Sequence, residues 1–450
     1  MKKILLVYLP FCTPASPPYS ITYLNSFLKN NCNDKIEYLD LNLEFHKLKF
    51  PEYQEYYQDE NNWRDYHEKT EEYKKITKKV YSENNKKVIK GEKPELFDEL
   101  LNIIKERKPD MVAFSIVYSS QAFYAYALLK ELKDVTKIIG GPAINEKLKA
   151  LADKTCDNEV ELLEFIRGEG TEKFNCDFPI DFSIYNLKEY FTPEAVIPIK
   201  TSSTCYYKRC TFCAHFNKTD YKEYPIKTIK KTIIKSKQKH FFLIDDMIHA
   251  KRLLEFAEAV KPLKINWTCQ LRPTKEFDYE TLKKLRESGL SMIMWGVESG
   301  NDRILNLIKK GTNEKDIEKV LEASNKAGIK NIVYMMFGFP TETKDEFMQT
   351  VEFLKNNEKN IDLVSVSVFG LQKGTEIYNN PQDFGIKKIT EEERTVLEPK
   401  ISYEVSQGLS QKEAAKLRDK HNRSIEKINK YPDTMNFFRE HMLCILGNDK

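Results

Sequence analysis

Three cysteines fall within nine residues, in the stretch Cys205-Tyr206-Tyr207-Lys208-Arg209-Cys210-Thr211-Phe212-Cys213, followed by Ala214, His215 and Phe216. The other six cysteines, at positions 12, 32, 156, 176, 269 and 444, stand alone. An odd total with one tight group reads as a metal site in a reducing compartment before it reads as a disulfide framework. Three thiolates in one short loop suit three corners of a cubane iron–sulfur cluster and leave the fourth iron open to a small molecule. Two other chemistries use the same residues. One is a closed zinc site with His215 as fourth ligand. The other is a redox pair of Cys210 and Cys213, which leaves Cys205 unexplained.

The elements that must position this loop follow from hydrophobic patterning. An α/β chain is expected throughout. In the first part, Lys3–Leu9, Lys35–Leu39, Met111–Val117 and Thr136–Ile139 read as strands, with helical spacing over Ser20–Lys29 and Ala122–Leu132. Phe165–Gly170 reads as a last strand running into a turn. Strand–helix alternation of this kind predicts a Rossmann-like open parallel sheet with helices on both faces, over residues 1–175. The charged, Tyr-rich stretch from Glu44 to Lys93, with Trp63, interrupts it. It reads either as a surface helical insertion whose aromatics pack on the domain or as a lid.

A linker with Pro179 and Pro193 (176–194) precedes a second series. Its strands are Ala195–Thr201, Phe241–Ile244, Ile265–Cys269, Met292–Val297, Asn331–Phe337 and Leu363–Phe369. Six strand–helix repeats predict a partial TIM-type barrel over 195–390, with its chemistry at the carboxyl ends of the strands. Residues 391–450 read as a mostly polar helical tail without chemistry.

Composition narrows the function. The 450 residues carry 72 basic and 68 acidic side chains, interspersed, for a net charge of +4. That balance gives no support for nucleic-acid binding. No apolar run approaches the roughly 20 residues a membrane span needs. Met1-Lys2-Lys3 before Ile4–Pro10 lacks a signal-peptide cleavage site and is better explained as a buried first strand. A cytoplasmic location is expected.

The cysteine loop and the strand ends together resemble the radical S-adenosylmethionine (SAM) superfamily, and more closely its branch with an N-terminal cobalamin-binding domain, over about residues 1–390. The usual motif is C-x-x-x-C-x-x-C; here one more residue separates the first two cysteines. The resemblance implies a [4Fe–4S] cluster on Cys205, Cys210 and Cys213, whose open iron chelates the amino and carboxylate groups of SAM. An electron passed to the sulfonium then releases a 5′-deoxyadenosyl radical that abstracts hydrogen from an unactivated carbon. Matching positions lie at successive strand ends. Asp245-Asp246 is expected at the SAM ammonium, although a helix cap for Ile248 onward explains one Asp equally well. Arg272 is expected at the SAM carboxylate and Glu298 at the ribose. Gly338, Pro340 and Glu342 are expected around adenine, and Phe212 packs near it. Lys310-Gly311 also matches, but a solvated Lys before a helix-stopping Gly reads equally well.

For the first domain the resemblance implies corrinoid contacts at Pro17, Tyr19, Ser115, Tyr118, Ser119, Gln121, Gly140, Gly141 and Glu169. A tight strand-to-helix turn explains the Gly-Gly pair as well. No D-x-H-x-x-G motif is present. A corrinoid there has no His ligand, or else the domain keeps the fold without the cofactor. The leading functional reading is cobalamin-dependent C-methylation. A cobalamin-independent rearrangement, cyclisation or peptide modification is the alternative, and a non-catalytic iron–sulfur or corrinoid protein is a third. The partners implied are a small-molecule or peptide substrate and an electron donor such as flavodoxin or ferredoxin. Tyr334 and Met336 are candidates for substrate contact, or simply barrel core.

Overall fold

Ile4 to Val7 are wholly buried, and this run forms β1 (Lys3–Tyr8). Continuous apolar strands are what a parallel sheet covered on both faces requires. The computed structural model describes residues 1–170, 173–214 and 219–448. It divides into two compact units, one of residues 1–198, 231–237 and 393–399, the other of 199–230, 238–392 and 400–450.

In the first unit, β1 pairs in parallel with β2 (Lys35–Asp40) and β3 (Met111–Ser115). Beyond β3 come β4 (Thr136–Gly140) and β5 (Lys154–Cys156), giving the order β2-β1-β3-β4-β5. Such doubly wound sheets bind ligands where the strand order reverses, here between the carboxyl ends of β1 and β3. The expected last strand at Phe165–Gly170 is instead the end of a helix, Glu159–Arg167. Asn158 caps its first turn, Leu162, Leu163 and Ile166 share a buried face, and Gly168 closes it at φ 79°. Three residues without an apolar run make the true fifth strand, which is why patterning missed it.

The Tyr-rich insertion folds as helices Leu41–Lys49, Pro51–Gln58 and Tyr66–Ile89. Tyr53, Tyr57, Tyr66 and Tyr73 are buried. Tyr73 donates to or accepts from His46 Nδ1 at 2.8 Å, and its ring lies 4.9 Å from that of Tyr53. The tyrosines are therefore packing residues.

The second unit's sheet runs β6 (Val196–Ile199), β7 (His240–Leu243), β8 (Asn266–Leu271), β9 (Leu290–Glu298), β10 (Lys330–Phe337) and β11 (Leu363–Val368), in chain order from one edge to the other. This is the expected six-strand partial barrel; the unit boundary passes through β6. Helices Ala250–Val260, Tyr279–Glu287, Glu314–Lys326 and Lys344–Asn356 return the chain between strands. Trp267 meets Phe256, Trp295 meets Phe277 and Phe337 meets Phe347, so these strand residues face the outer helices. Side chains alternate along a strand, so Asn266, Thr268, Met292, Met294, Gly296 and Tyr334 face the inner side.

The tail differs from expectation. It opens with an antiparallel hairpin, β12 (Ile386–Glu392) and β13 (Lys400–Val405), before helices Gln411–Glu426 and Arg439–Asn448. The last helix covers the inner face: Asn266 donates to the Leu443 carbonyl at 2.8 Å, and a Cβ on Gly447 falls 2.4 Å from the His240 ring.

Gly141 sits at φ 116°, where a Cβ lies 2.3 Å from the Ile116 carbonyl oxygen. Gly91 has φ 80° but nothing within 4 Å. Gly141→Ala is expected to destabilise the first unit by about 1–3 kcal/mol more than Gly91→Ala. Urea unfolding monitored by near-UV circular dichroism checks this, and equal losses would remove the steric account.

Candidate active site

The cysteine loop has no regular structure of its own, so its shape is imposed from outside. Its base is closed by a bridge between Ser202 and Glu223, with Ser203 N–H donating to Lys222 and Tyr224 N–H to Thr201, each at 2.9 Å. Asp245, at the end of β7, is buried and accepts five hydrogen-bond contacts of 2.6–3.0 Å from the backbone and hydroxyls of Thr201 and Ser202. Burial raises its carboxyl pKa and these donors oppose the rise. Asp245 thus has a different role from the expected ammonium contact: its lone pairs are taken up in tying the loop to the sheet. Asp246 remains half-buried, with Thr204 Oγ1 at 3.3 Å. Neither aspartate caps the following helix; His249 does.

The loop's upper part is clamped by Arg272 at the end of β8. Its guanidinium lies 3.5 Å from the Tyr207 ring centroid and donates to the Lys310 carbonyl at 3.0 Å and to Tyr206 OH at 3.2 Å. Tyr207 OH donates to the Lys309 carbonyl at 2.9 Å. Gly311, at φ 69°, makes this possible, since a Cβ there lies 2.2 Å from Tyr207 Oη and 2.9 Å from an Arg272 nitrogen. Arg272 is therefore engaged by the loop rather than free for a carboxylate, with only its buried Nε lacking a partner. Thr211 completes the hold: its N–H donates to Ile308, and its carbonyl accepts from Ile377 N–H, both at 3.1 Å.

Lys310, without a role in the sequence reading, is buried and pairs with Glu298 at 2.8 Å. Its ammonium lies 5.9 Å from the Phe212 ring. Glu298 has φ 68°, a strained conformation for a non-glycine residue of the kind that concentrates at functional sites. The pair stands over the inner face at Gly296, where a Cβ comes within 3.0 Å of both groups. Burial pushes the Cys210 thiol up to about 11; Lys310 lowers it, while Cys213 and Cys205 raise it. The three sulfurs thus share one neighbourhood. Among the described residues no three His, Cys, Asp or Glu side chains converge on a single ion, whereas a cubane's thiolates bind three separate irons and do not meet at one point. His215, the fourth zinc ligand considered, lies outside the described residues.

The β10 end is more closed than expected. The space beside Gly338 is filled by Ala414, whose Cβ lies 2.4 Å from where a Gly338 Cβ falls. Pro340 is buried. Glu342 is fully buried, accepts from Gly338 N–H, and has an unpartnered Oε1.

In the first unit the expected corrinoid contacts separate into two sets. Half-buried Tyr19, exposed Tyr118 and exposed Ser119 lie near the carboxyl ends of β1 and β3, with Pro17 buried beside them. Ser115 is bonded to Ser20 at 2.8 Å. Gln121 is buried and fully engaged, accepting from Val117 and Tyr118 N–H and donating to Leu9. Gly140 and Gly141 make a tight turn against Cys156 and Ile116. Glu169 follows a helix whose end meets Lys2 at the start of β1, the opposite end of the sheet from the ligand crevice. His46 is buried against Tyr73, and burial lowers its pKa to about 3.

Residues 199–354 match the family described as "Radical SAM superfamily". That segment is a radical SAM domain, a family that implies a [4Fe–4S] cluster and SAM, and the chain is an enzyme. An uncharacterized methyltransferase of Pyrococcus horikoshii is 23% identical over 66% of this chain and 75% of its own length. Bacteriochlorophyllide d C-8(2)-methyltransferase of Chlorobaculum tepidum is 25% identical over 44% of this chain and 47% of its own. The fold is that of the cobalamin-dependent SAM radical enzyme OxsB, solved with aqua-cobalamin and SAM (TM-score 0.61, 15% identity, all of this chain and 72% of that one). The SAM methyltransferase TsrM of Kitasatospora setae, with cobalamin and a [4Fe–4S] cluster, matches with TM-score 0.62 and 14% identity over 88% of this chain and 82% of that one. No helix among the described residues is long and apolar enough to cross a membrane.

Two predictions follow from this geometry. Arg272→Lys keeps the charge but loses the planar stack and the two-armed donation, removing about 2–4 kcal/mol of loop order. Iron and sulfide per chain after anaerobic purification should fall at least threefold; unchanged content would remove the clamp from the account. Burial raises the Glu342 pKa to about 7. The carboxyl therefore holds its proton more tightly folded than unfolded. Its contribution is present below pH about 4.5 and is lost as pH rises through 7. Glu342→Gln should raise the thermal midpoint at pH 8 and leave it unchanged at pH 5, with up to about 3 kcal/mol at stake.

Proposed function

We propose that this enzyme methylates an unactivated carbon, with Cys205, Cys210 and Cys213 holding the cluster and a corrinoid bound at the carboxyl ends of β1 and β3. When bound, the cluster and SAM supply the radical that activates the substrate carbon, and the corrinoid supplies the methyl group. The observation that carries this reading is the pairing of a radical SAM barrel with a parallel sheet of order 2-1-3-4-5. Similarity along the whole chain to a cobalamin-dependent enzyme supports it.

The chain's own residues orient and seal the site. Asp246, the aspartate not taken up by the loop base, receives the SAM ammonium. Glu298 meets the ribose hydroxyls while Lys310 holds its carboxylate in place at 2.8 Å. Phe212 lies against adenine. Tyr19, Tyr118 and Ser119 are the residues left available for a corrinoid. His46, the buried imidazole of the first unit, is held by Tyr73 through Nδ1 and packs among the Phe11, Phe45 and Phe50 rings.

The engagement of Ser115, Gln121 and Gly141 within the protein favours a second reading, in which the first unit keeps the fold without the corrinoid. Anaerobic purification with hydroxocobalamin, followed by iron, sulfide and cobalt counts, separates the two. About one cobalt per cluster, with deoxyadenosine and a product heavier by one methyl, is the expected outcome. Deoxyadenosine without cobalt or added methyl would establish the second reading.

A further inference from the structure

The inner face of the barrel holds a cation that makes no direct ion pair among the described residues, although Glu440, next to it in sequence, feels its charge. Arg439 opens the last helix, and its guanidinium lies 4.8 Å from the Tyr334 ring centroid. Among the described residues it makes no hydrogen bond or ion pair, and its Nε is buried without a partner. Tyr334 sits on the inner face of β10, and its hydroxyl is likewise buried and unpartnered. Burial pushes that hydroxyl up to about 12, with Arg439 opposing the rise and Glu298 and Glu440 adding to it. It is therefore a neutral donor at physiological pH. Tyr334 thus feels both the Glu298 carboxylate and the tail helix, which puts Arg439 on the face that carries the Lys310–Glu298 pair.

Arg439 is half-buried, and a buried Nε with no acceptor is costly unless something anionic completes it. The ring stack fixes its plane without using any of its N–H groups, so all of them remain available for a two-armed bond to a planar oxyanion. We propose that Arg439 and Tyr334 anchor a carboxylate of the substrate on the inner face of the barrel. This rests on reading that face as the reaction chamber. A singly charged carboxylate suits the site better than a phosphate dianion. Lys310 is already paired with Glu298, and burial raises the pKa of Glu440, so Arg439 offers a single positive charge, which suits a monoanion better than a dianion. Arg439 lies on the tail helix and Tyr334 on β10, while the Lys310–Glu298 pair stands at the end of β9, so the substrate is held between the tail helix and that pair.

The test is a titration of the full-length protein with trifluoroacetate, followed by fluorine NMR, with inorganic phosphate as competitor. Saturable binding is expected, weakened at least about 10-fold in Arg439→Gln, less in Arg439→Lys, and about threefold in Tyr334→Phe. Exposed Arg423→Gln should leave binding unchanged. Phosphate should not displace the probe at equal concentration. The proposal fails if wild-type protein shows no saturable binding, if Arg439→Gln binds equally well, or if phosphate competes on equal terms. Should Arg439→Gln not fold, as judged by circular dichroism, Arg439→Lys and Tyr334→Phe carry the same decision. The titration needs neither SAM nor reductant, so its failure is distinct from a failure to find cluster, deoxyadenosine or methylated product.

Discussion

The stack of Arg272 on Tyr207 is the contact on which the arrangement of the site depends. A loop of nine residues between Cys205 and Cys213 has neither helix nor strand to fix the directions of its thiols. A planar cation solves this because it presents a face and an edge at once: the face packs on Tyr207 at 3.5 Å, and the edge donates to Lys310 and Tyr206. One side chain from β8 thereby ties the cysteine loop to the segment after β9. Asp245 does the same at the loop's base from β7. The thiols are held by two charged residues rooted in the rigid sheet, an economical way to preorganise a site carried on an irregular segment.

The same arrangement explains the buried Lys310–Glu298 pair. Desolvating two charges is costly, and their attraction recovers that cost only when the geometry is good. Here the geometry is good because the clamp fixes the backbone on one side of the pair. The Lys310 carbonyl accepts from Arg272, so the Lys310 side chain leaves the backbone at a defined point and reaches Glu298 at 2.8 Å. Glu298 in turn takes a strained backbone at the end of β9. Clamp, pair and strain are therefore one structure, and the Lys310 charge that acts on Cys210 is set by a contact made through the loop itself.

Sequence patterning found all six barrel strands and four of the five strands of the first sheet, because each is an apolar run long enough to be seen. The fifth, Lys154-Thr155-Cys156, has no such run, whereas the apolar Phe165-Ile166, which lies on a helix, presents one. The cysteines and strand-end polar residues were legible because residue type and local spacing carry them. Partners were not. Arg272 and Tyr206 are 66 positions apart, and nothing local says that the arginine faces the loop. Gly141 and Gly338 are expected at a corrinoid and at adenine, but the atoms that approach them are Ile116 and Ala414 of the chain itself. Lys310-Gly311 was visible as a motif and lacked only the long-range contact that gives it a role.

The tail was the least legible part, for a physical reason. Its composition is that of a solvated helix, and a helix end with one arginine carries no periodic signal. Its meaning comes from the strands it covers. The inner face between Lys310 and the tail is largely apolar or small, with Met292, Met294 and Gly296 on β9, and such a surface discriminates poorly between ligands of similar shape. A polar group placed opposite it is discriminating in proportion to its desolvation, because a ligand lacking the complementary group leaves it unsatisfied. Arg439 and Tyr334 are the groups in that position. The strands and the cysteine loop define the chemistry, and the helix that closes the inner face chooses what the chemistry acts on.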